Sequence, residues 1–233
     1  MKIFVLTGAG VSAESGLGTF RDKDGVWTKY DLETVATPEG FARNPALVRD
    51  FYNARRANLM DAAPNAAHFA LARLEAELAA RGDELWLCTQ NVDDLHEKAG
   101  SRRVVHMHGE LAVTRCHYCQ ATCPDTGALT AEAVCGACGR AGGARPHVVW
   151  FGEMPLHMDE IEDALAEADL FVSIGTSGSV YPAAGFVTQA RAMGIATYEI
   201  NLEPSANAHV FDEKRYGPAS RIVPAWVQDV LGA

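Results

Sequence analysis

Four cysteines fall in two pairs, Cys116-x2-Cys119 and, after fifteen intervening residues, Cys135-x2-Cys138. Each pair lets two thiolates reach one ion from a single knuckle, so the set predicts a closed, tetrahedral, structural zinc site. Cys123 leaves an alternative open, because it could replace Cys119 as a ligand, although Cys-x2-Cys geometry favours Cys119. Cys88 sits in an apolar run and reads as core. A second group is Thr89-Gln90-Asn91-Val92-Asp93, followed by His106-Met107-His108-Gly109. Adjacent amide and carboxylate side chains at the end of a buried run are costly unless something pairs with them, so they point to a ligand. His108 suits a general base near neutral pH, with a satisfied structural histidine as the even alternative. Gly8-Ala9-Gly10 would let the backbone approach a pyrophosphate, with Ala13 where the dinucleotide pattern allows Gly or Ala; an ordinary tight turn has the same letters. Finally, Tyr52 and Arg55 are spaced to share a helix face, and a phenol beside a guanidinium receives a carboxylate well. By spacing alone, a surface pair on an amphipathic helix is the plainer reading.

These residues need elements to bring them together. Lys2 to Thr7 is a short apolar run before the turn Gly8 to Gly16, which predicts strand, tight turn, helix. Thr37-Pro38 and Asn44-Pro45 read as helix starts, the second helix running to about Met60. Pro64-Asn65 opens another, with Phe69, Leu71, Leu74 and Leu78 as its apolar positions and Gly82 as its stop. Strands are expected at Leu85–Thr89, Val104–His106, His147–Phe151, Leu170–Ile174 and Ile195–Ile200, and helices at Ile161–Ala168, Pro182–Met193 and Pro224–Leu231. From Leu111 to about Arg145 the chain turns to Cys, Gly and small polar residues, an insertion with little core of its own. Apolar strands alternating with helices predict an α/β fold with a doubly wound parallel sheet. Ligands bind beyond the carboxyl ends of such strands, and five of the expected strand ends carry ligand-type residues: Gly8, Gln90, His108, Gly175 and Asn201.

The chain has 233 residues, enough for one large domain or one domain with a small insertion. With 48% apolar and 21% charged residues it can form a core, so disorder is not expected. A net charge of −10 argues against a nucleic-acid binder, whose affinity comes from neutralising phosphates. No apolar run approaches the ~18 residues of a membrane span, and the opening run is too short for a signal peptide. The expectation is a cytoplasmic protein, a monomer by default, with no nucleic-acid or membrane partner.

Taken jointly, Gly8 to Gly16, Phe20-Arg21, Thr89 to Asp93, His108-Gly109, the four cysteines, Val148-Val149-Trp150-Phe151-Gly152-Glu153, Gly175-Thr176-Ser177 and Asn201 closely resemble the sirtuins, in order over nearly the whole chain. The resemblance implies an NAD-dependent protein-lysine deacylase built on a Rossmann-like NAD-binding domain (about 1–30, 61–109 and 147–233). A small domain would come from a helical insert (about 31–60) and a zinc-ribbon insert (about 110–146). The compact length and Tyr52-x-x-Arg55 resemble the class III branch, which removes succinyl and malonyl as well as acetyl groups.

By the same resemblance, Gly8, Ala9, Gly10, Ser12, Glu14, Phe20, Arg21 and Trp27 would line the pyrophosphate and nicotinamide-ribose region. Gln90 and Asn91 would hold the ribose and order a water, and Asp93 would bind the nicotinamide amide. Gly175, Thr176 and Ser177 would contact phosphate and ribose, and Asn201, Leu202, Glu203 and Ala219 would border the adenosine. Val149 and Phe151 would line the acyl-lysine tunnel, Ala36 would leave room for a longer acyl chain, and Tyr52 and Arg55 would hold its carboxylate. His108 would accept a proton from the ribose diol, Asn91 assisting, with nicotinamide and O-acyl-ADP-ribose released. NAD is the implied co-substrate, with one structural zinc. Gly18 and Trp150 depart from the commonest pattern, and neither is expected to touch a residue assigned chemistry. The rival readings are a protein ADP-ribosyltransferase and an NAD-dependent oxidoreductase.

Overall fold

The computed structural model describes residues 1–17 and 31–232. Its elements run β1 (Lys2–Thr7), α1 (Leu32–Val35), α2 (Pro38–Arg43), α3 (Pro45–Asp61), α4 (Ala66–Ala80), β2 (Glu84–Thr89), α5 (Leu95–Lys98), β3 (Val104–His106), β4 (Gly109–Cys116), β5 (Thr122–Pro124), β6 (Ala144–Val148), α6 (Met158–Ala166), β7 (Leu170–Ile174), α7 (Phe186–Ala192), β8 (Ala196–Asn201), β9 (Glu213–Tyr216) and α8 (Ala219–Gly232).

The expected doubly wound sheet is present, in the order β3-β2-β1-β7-β8-β9 with parallel neighbours throughout. Its central strands are apolar on both faces because helices cover both. Ile3 and Val5 pack with Leu71, Leu74 and Leu78 of α4 and with Trp226 and Val227 of α8. Phe4 and Leu6 face the other way, onto Ile161 of α6 and Phe186 and Val187 of α7. The strand order reverses between β1 and β7, which opens a crevice beyond their carboxyl ends.

A second sheet, antiparallel and ordered β5-β4-β6, is the inserted ribbon. α3 ties it down with two buried arginines. Arg49 donates to the carbonyls of Ala144 (3.1 Å) and Gly142 (2.6 Å), and Arg56 to those of Gly127 (2.6 Å) and Val113 (3.1 Å). Val35, Phe41, Phe51, Tyr52, Leu111, Val148 and Trp150 form a third core between these helices and the ribbon.

The capping signals hold: Thr37 Oγ1 accepts from Gly40 N–H at 2.9 Å, and Asn44 Oδ1 from Leu47 N–H at 3.1 Å, each before a Pro at the first helical position. Several boundaries differ. The expected turn from Gly8 to Gly16 contains two 3-10 turns, Ala9–Val11 and Ala13–Ser15, and the helix expected after it falls outside the described residues. Phe69 lies on the outer face of α4, which Ala67 and Ala70 help to bury instead. β6 begins at Ala144 and ends at Val148, so Val149 to Phe151 lie beyond the strand. A 3-10 turn, Ala183–Gly185, occupies the start of the expected Pro182–Met193 helix. α8 begins at Ala219, five residues before Pro224, because Glu14 caps it from the far end of the chain: Ser220 N–H and Oγ donate to the Glu14 carboxylate at 2.8 and 2.9 Å. β9 was not expected; it is a charged edge strand without an apolar pattern.

Candidate active site

β1 and β7 deliver the two glycine turns to the switch point. Gly8 N–H donates to the Ile174 carbonyl and Gly10 N–H to that of Gly175, both at 2.9 Å. A side chain cannot fit between the turns: a Cβ on Gly10 would lie 2.7 Å from Gly175 Cα, and one on Gly175 2.5 Å from Val11 N. Glycine therefore lets the two turns close backbone on backbone at the switch point, the place where a dinucleotide's pyrophosphate would fit. Asn201, at the end of β8, donates from Nδ2 to the Thr176 carbonyl at 2.7 Å, joining the third wall. Leu202 and Glu203 beside it are exposed. Glu14 belongs to this rim, but its carboxylate is engaged by Ser220, next to Ala219. Phe20, Arg21 and Trp27 lie outside the described residues, as does Gly18.

Beneath the rim a buried polar network joins four elements. Ser12 Oγ donates to Asp93 Oδ2 at 3.1 Å and accepts from Asn91 Nδ2 at 3.1 Å. Asp93 Oδ1 accepts from Leu95 N–H, and burial raises the Asp93 carboxyl above its usual range. His68 accepts at Nδ1 from Asn65 N–H, which leaves Nε2 to donate towards Ser12 at 3.4 Å. Burial pushes His68 down to about 4, so it stays neutral. His68 was not singled out from the sequence, although Asn65-x-x-His68 has the spacing of a capping box.

The two histidines flanking Met107 differ sharply. His106 donates from Nδ1 to the Asn91 carbonyl (3.2 Å) and from Nε2 to Glu97 (2.8 Å). Burial lowers its pKa, but its partners, Glu97 foremost, more than compensate and the net shift is upward. Among the described residues His108 has one contact of this kind, Nδ1 to the Gln90 carbonyl at 3.1 Å. A carbonyl only accepts, so Nδ1 carries the proton and Nε2 keeps its lone pair. Burial lowers the His108 pKa, which keeps that lone pair available at neutral pH. Gln90, on the same strand end, is half-buried.

Val149 N–H donates to the His108 carbonyl and Phe151 N–H to that of Ala36, both at 2.9 Å. The segment expected to line an acyl tunnel thus runs from the histidine to the buried Ala36, and Phe151 is half exposed. Tyr52 is buried and accepts at its phenol oxygen from Trp150 Nε1 at 2.9 Å. This corrects the expectation that Trp150 touches no residue assigned chemistry. Arg55, one turn on, is half-buried; burial lowers its pKa while Tyr52 and Asp93 oppose that shift. Sequence reasoning also missed Arg145 and Glu153, paired at 2.7 and 2.9 Å in two-pronged fashion, with Glu153 accepting from Trp150 N–H at 2.9 Å.

In the ribbon, the sulfurs of Cys116, Cys119, Cys135 and Cys138 all lie within 4.8 Å of one another. Backbone N–H groups of Cys138 and Ala137 draw the Cys135 thiol down to about 6. Four converging thiols suit zinc, and they leave it no open position. Cys123 is exposed on β5 and outside this group; Cys88 is buried and its thiol is raised by burial. Among the described residues no helix is long and apolar enough to cross a membrane.

Comparison with known proteins agrees with this geometry. A family model described as Sir2 family matches residues 8–182. A curated NAD-dependent protein deacylase of Caulobacter vibrioides is 82% identical over 231 residues, covering 99% of this chain and 97% of its own. A solved Sir2 homologue in complex with NAD is 40% identical, with a TM-score of 0.86 over 98% of this chain and 89% of the other. A Sir2 structure holding 2'-O-acetyl-ADP-ribose and a deacetylated p53 peptide is 25% identical, with a TM-score of 0.78 over 99% and 94% of the two chains.

Proposed function

The chain belongs to the Sir2 family, and on that premise we propose how its residues divide the work of deacylation. The protein is an NAD-dependent deacylase that removes acyl groups from lysine, with release of nicotinamide and O-acyl-ADP-ribose. Bound NAD supplies a glycosidic bond whose cleavage activates the otherwise inert amide of the acyl-lysine.

The chain's own part begins with positioning. Gly8, Ala9, Gly10, Gly175, Thr176 and Ser177 offer backbone and hydroxyl groups to the phosphates and ribose, and Asn201, Leu202, Glu203 and Ala219 edge the adenosine. Asp93, its carboxyl oriented by Ser12, receives the nicotinamide amide. Asn91 and Gln90 hold the ribose and a water. His108 takes the proton of a ribose hydroxyl at Nε2. The observation that carries this reading is the neutral, tautomer-fixed His108 beside the Ser12–Asn91–Asp93 network at adjacent strand ends. Val149 and Phe151 flank the acyl-lysine, and Tyr52 and Arg55 receive a carboxylate at the end of a malonyl or succinyl chain, with Ala36 leaving space for it. Cys116, Cys119, Cys135 and Cys138 hold zinc as a strut for the small domain of residues 31–60 and 110–146. Reduced, metal-binding thiols support a cytoplasmic setting, and the same reading takes the protein as a monomer acting on acylated lysines of other proteins.

Acetyl, malonyl and succinyl peptides on one backbone test the whole reading. Nicotinamide should appear in step with free lysine for each, and only with NAD present. Arg55→Met should lower desuccinylation ~10–100-fold more than deacetylation, the worth of a hydrogen-bonded charge pair. Equal losses on both substrates would remove the carboxylate role.

A further inference from the structure

Tyr52 has one proton to give and an oxygen that accepts, and Trp150 settles which it does towards the protein. The indole Nε1–H can only donate, and it does so to the phenol oxygen at 2.9 Å. The phenol's own proton is therefore left to point elsewhere, and among the described residues no acceptor takes it. We propose that Trp150 is a specificity-setting positioning residue: by donating to Tyr52 it commits the phenol proton to a carboxylate in the acyl pocket. This rests on the reading of Tyr52 as a carboxylate receptor.

The indole cannot swing away. Arg145 lies 3.3 Å over its ring, held by both oxygens of Glu153, which also accepts from Trp150 N–H. Arg145 donates to the Val148 carbonyl at 2.9 Å, and Phe41 closes another side at 5.4 Å between ring centroids. A guanidinium over the indole face withdraws electron density from it and strengthens its N–H as a donor. A phenol that accepts a stronger bond becomes in turn a better donor. A chain of polarisation thus runs from the Glu153–Arg145 pair through Trp150 and Tyr52 to the pocket. An acetyl group ends in a methyl and makes no use of it; an acyl chain ending in a carboxylate does.

The test is a double-mutant cycle read as the ratio of kcat/KM for succinyl-lysine to that for acetyl-lysine on one peptide. Trp150→Phe removes the donor. Replacing Trp150 by 3-benzothienylalanine keeps the fused ring over which Arg145 sits and removes the N–H alone, so a packing defect cannot imitate the result. Both should lower the ratio about tenfold, and Trp150→Phe combined with Tyr52→Phe should lower it no further than Tyr52→Phe does. A ratio within about twofold of the wild type in both Trp150 variants, with Tyr52→Phe still effective, overturns the proposal, as do losses that multiply in the double variant. If Tyr52→Phe leaves the ratio unchanged, the carboxylate reading itself fails and this proposal falls with it.

Discussion

The strand-end crevice and the cysteine knuckle hold their geometry by opposite means. In the crevice, Ser12, Asn91, Asp93 and the histidines below them are buried, and their positions are fixed several times over by hydrogen bonds between elements that the sheet already aligns. In the knuckle, Leu129 is the one buried residue between positions 117 and 140. Three of the four sulfurs are gathered there with almost no apolar packing behind them, and Cys116, at the end of β4, is the buried one. A site held by packing can keep a group such as His108 neutral and aimed; a site held by a metal keeps its shape only while the metal stays. The proposed chemistry needs the first kind of site, and a strut needs only the second.

Removing the metal should break this contrast most sharply. Structural zinc in small sites is worth ~10–16 kcal/mol, so a strong chelator should abolish amide-exchange protection across residues 117–140. The amides of β1, β2 and β7 should remain protected. Equal loss in both regions would mean that the crevice also leans on the metal.

His108→Ala should leave both regions folded and remove the general base, lowering nicotinamide-coupled deacylation ~10²–10⁴-fold. The acid limb of the wild-type rate should fall below the usual histidine value of about 6.5, because burial favours the neutral ring. A near-normal rate in the variant would take His108 out of the mechanism.

The smallest effect is one of pH with zinc in place. Burial pushes His68 down to about 4 in the folded protein, so below about 6.5 the unfolded chain binds the proton first. Its contribution is complete above 6.5 and is lost as the pH falls towards 4, by about 3 kcal/mol at most. His96 is shifted the same way, whereas His106, raised by Glu97, contributes most below 6.5. Urea unfolding at pH 7.5 and 5 should show the net loss. A crevice as stable at pH 5 as at 7.5 would mean that these buried rings accept protons without strain.

Much of this was legible in the letters because it depends on neighbours in the chain. Cys-x2-Cys is one knuckle, Thr37-Pro38 and Asn44-Pro45 are caps, and Leu85 to Thr89 is a strand buried on both faces. Where reading failed, the partner was far away. Phe69 kept helical spacing, yet the outer face of α4 took it. The start of α8 depended on Glu14, and β9 has no apolar alternation to betray it. The roles of His68, His106, Arg145 and Trp150 appear only when their partners do.

By itself the sequence determined the strand ends, the glycine turns, the four-sulfur site and the family they belong to, because these are set by residue type and short spacing. The tertiary structure alone decided which nitrogen of His108 carries the proton, in which direction burial and neighbours shift each histidine, and that Trp150 donates to Tyr52. Those are properties of contacts between residues as much as 98 positions apart, and a proton's place is fixed by the partner it meets.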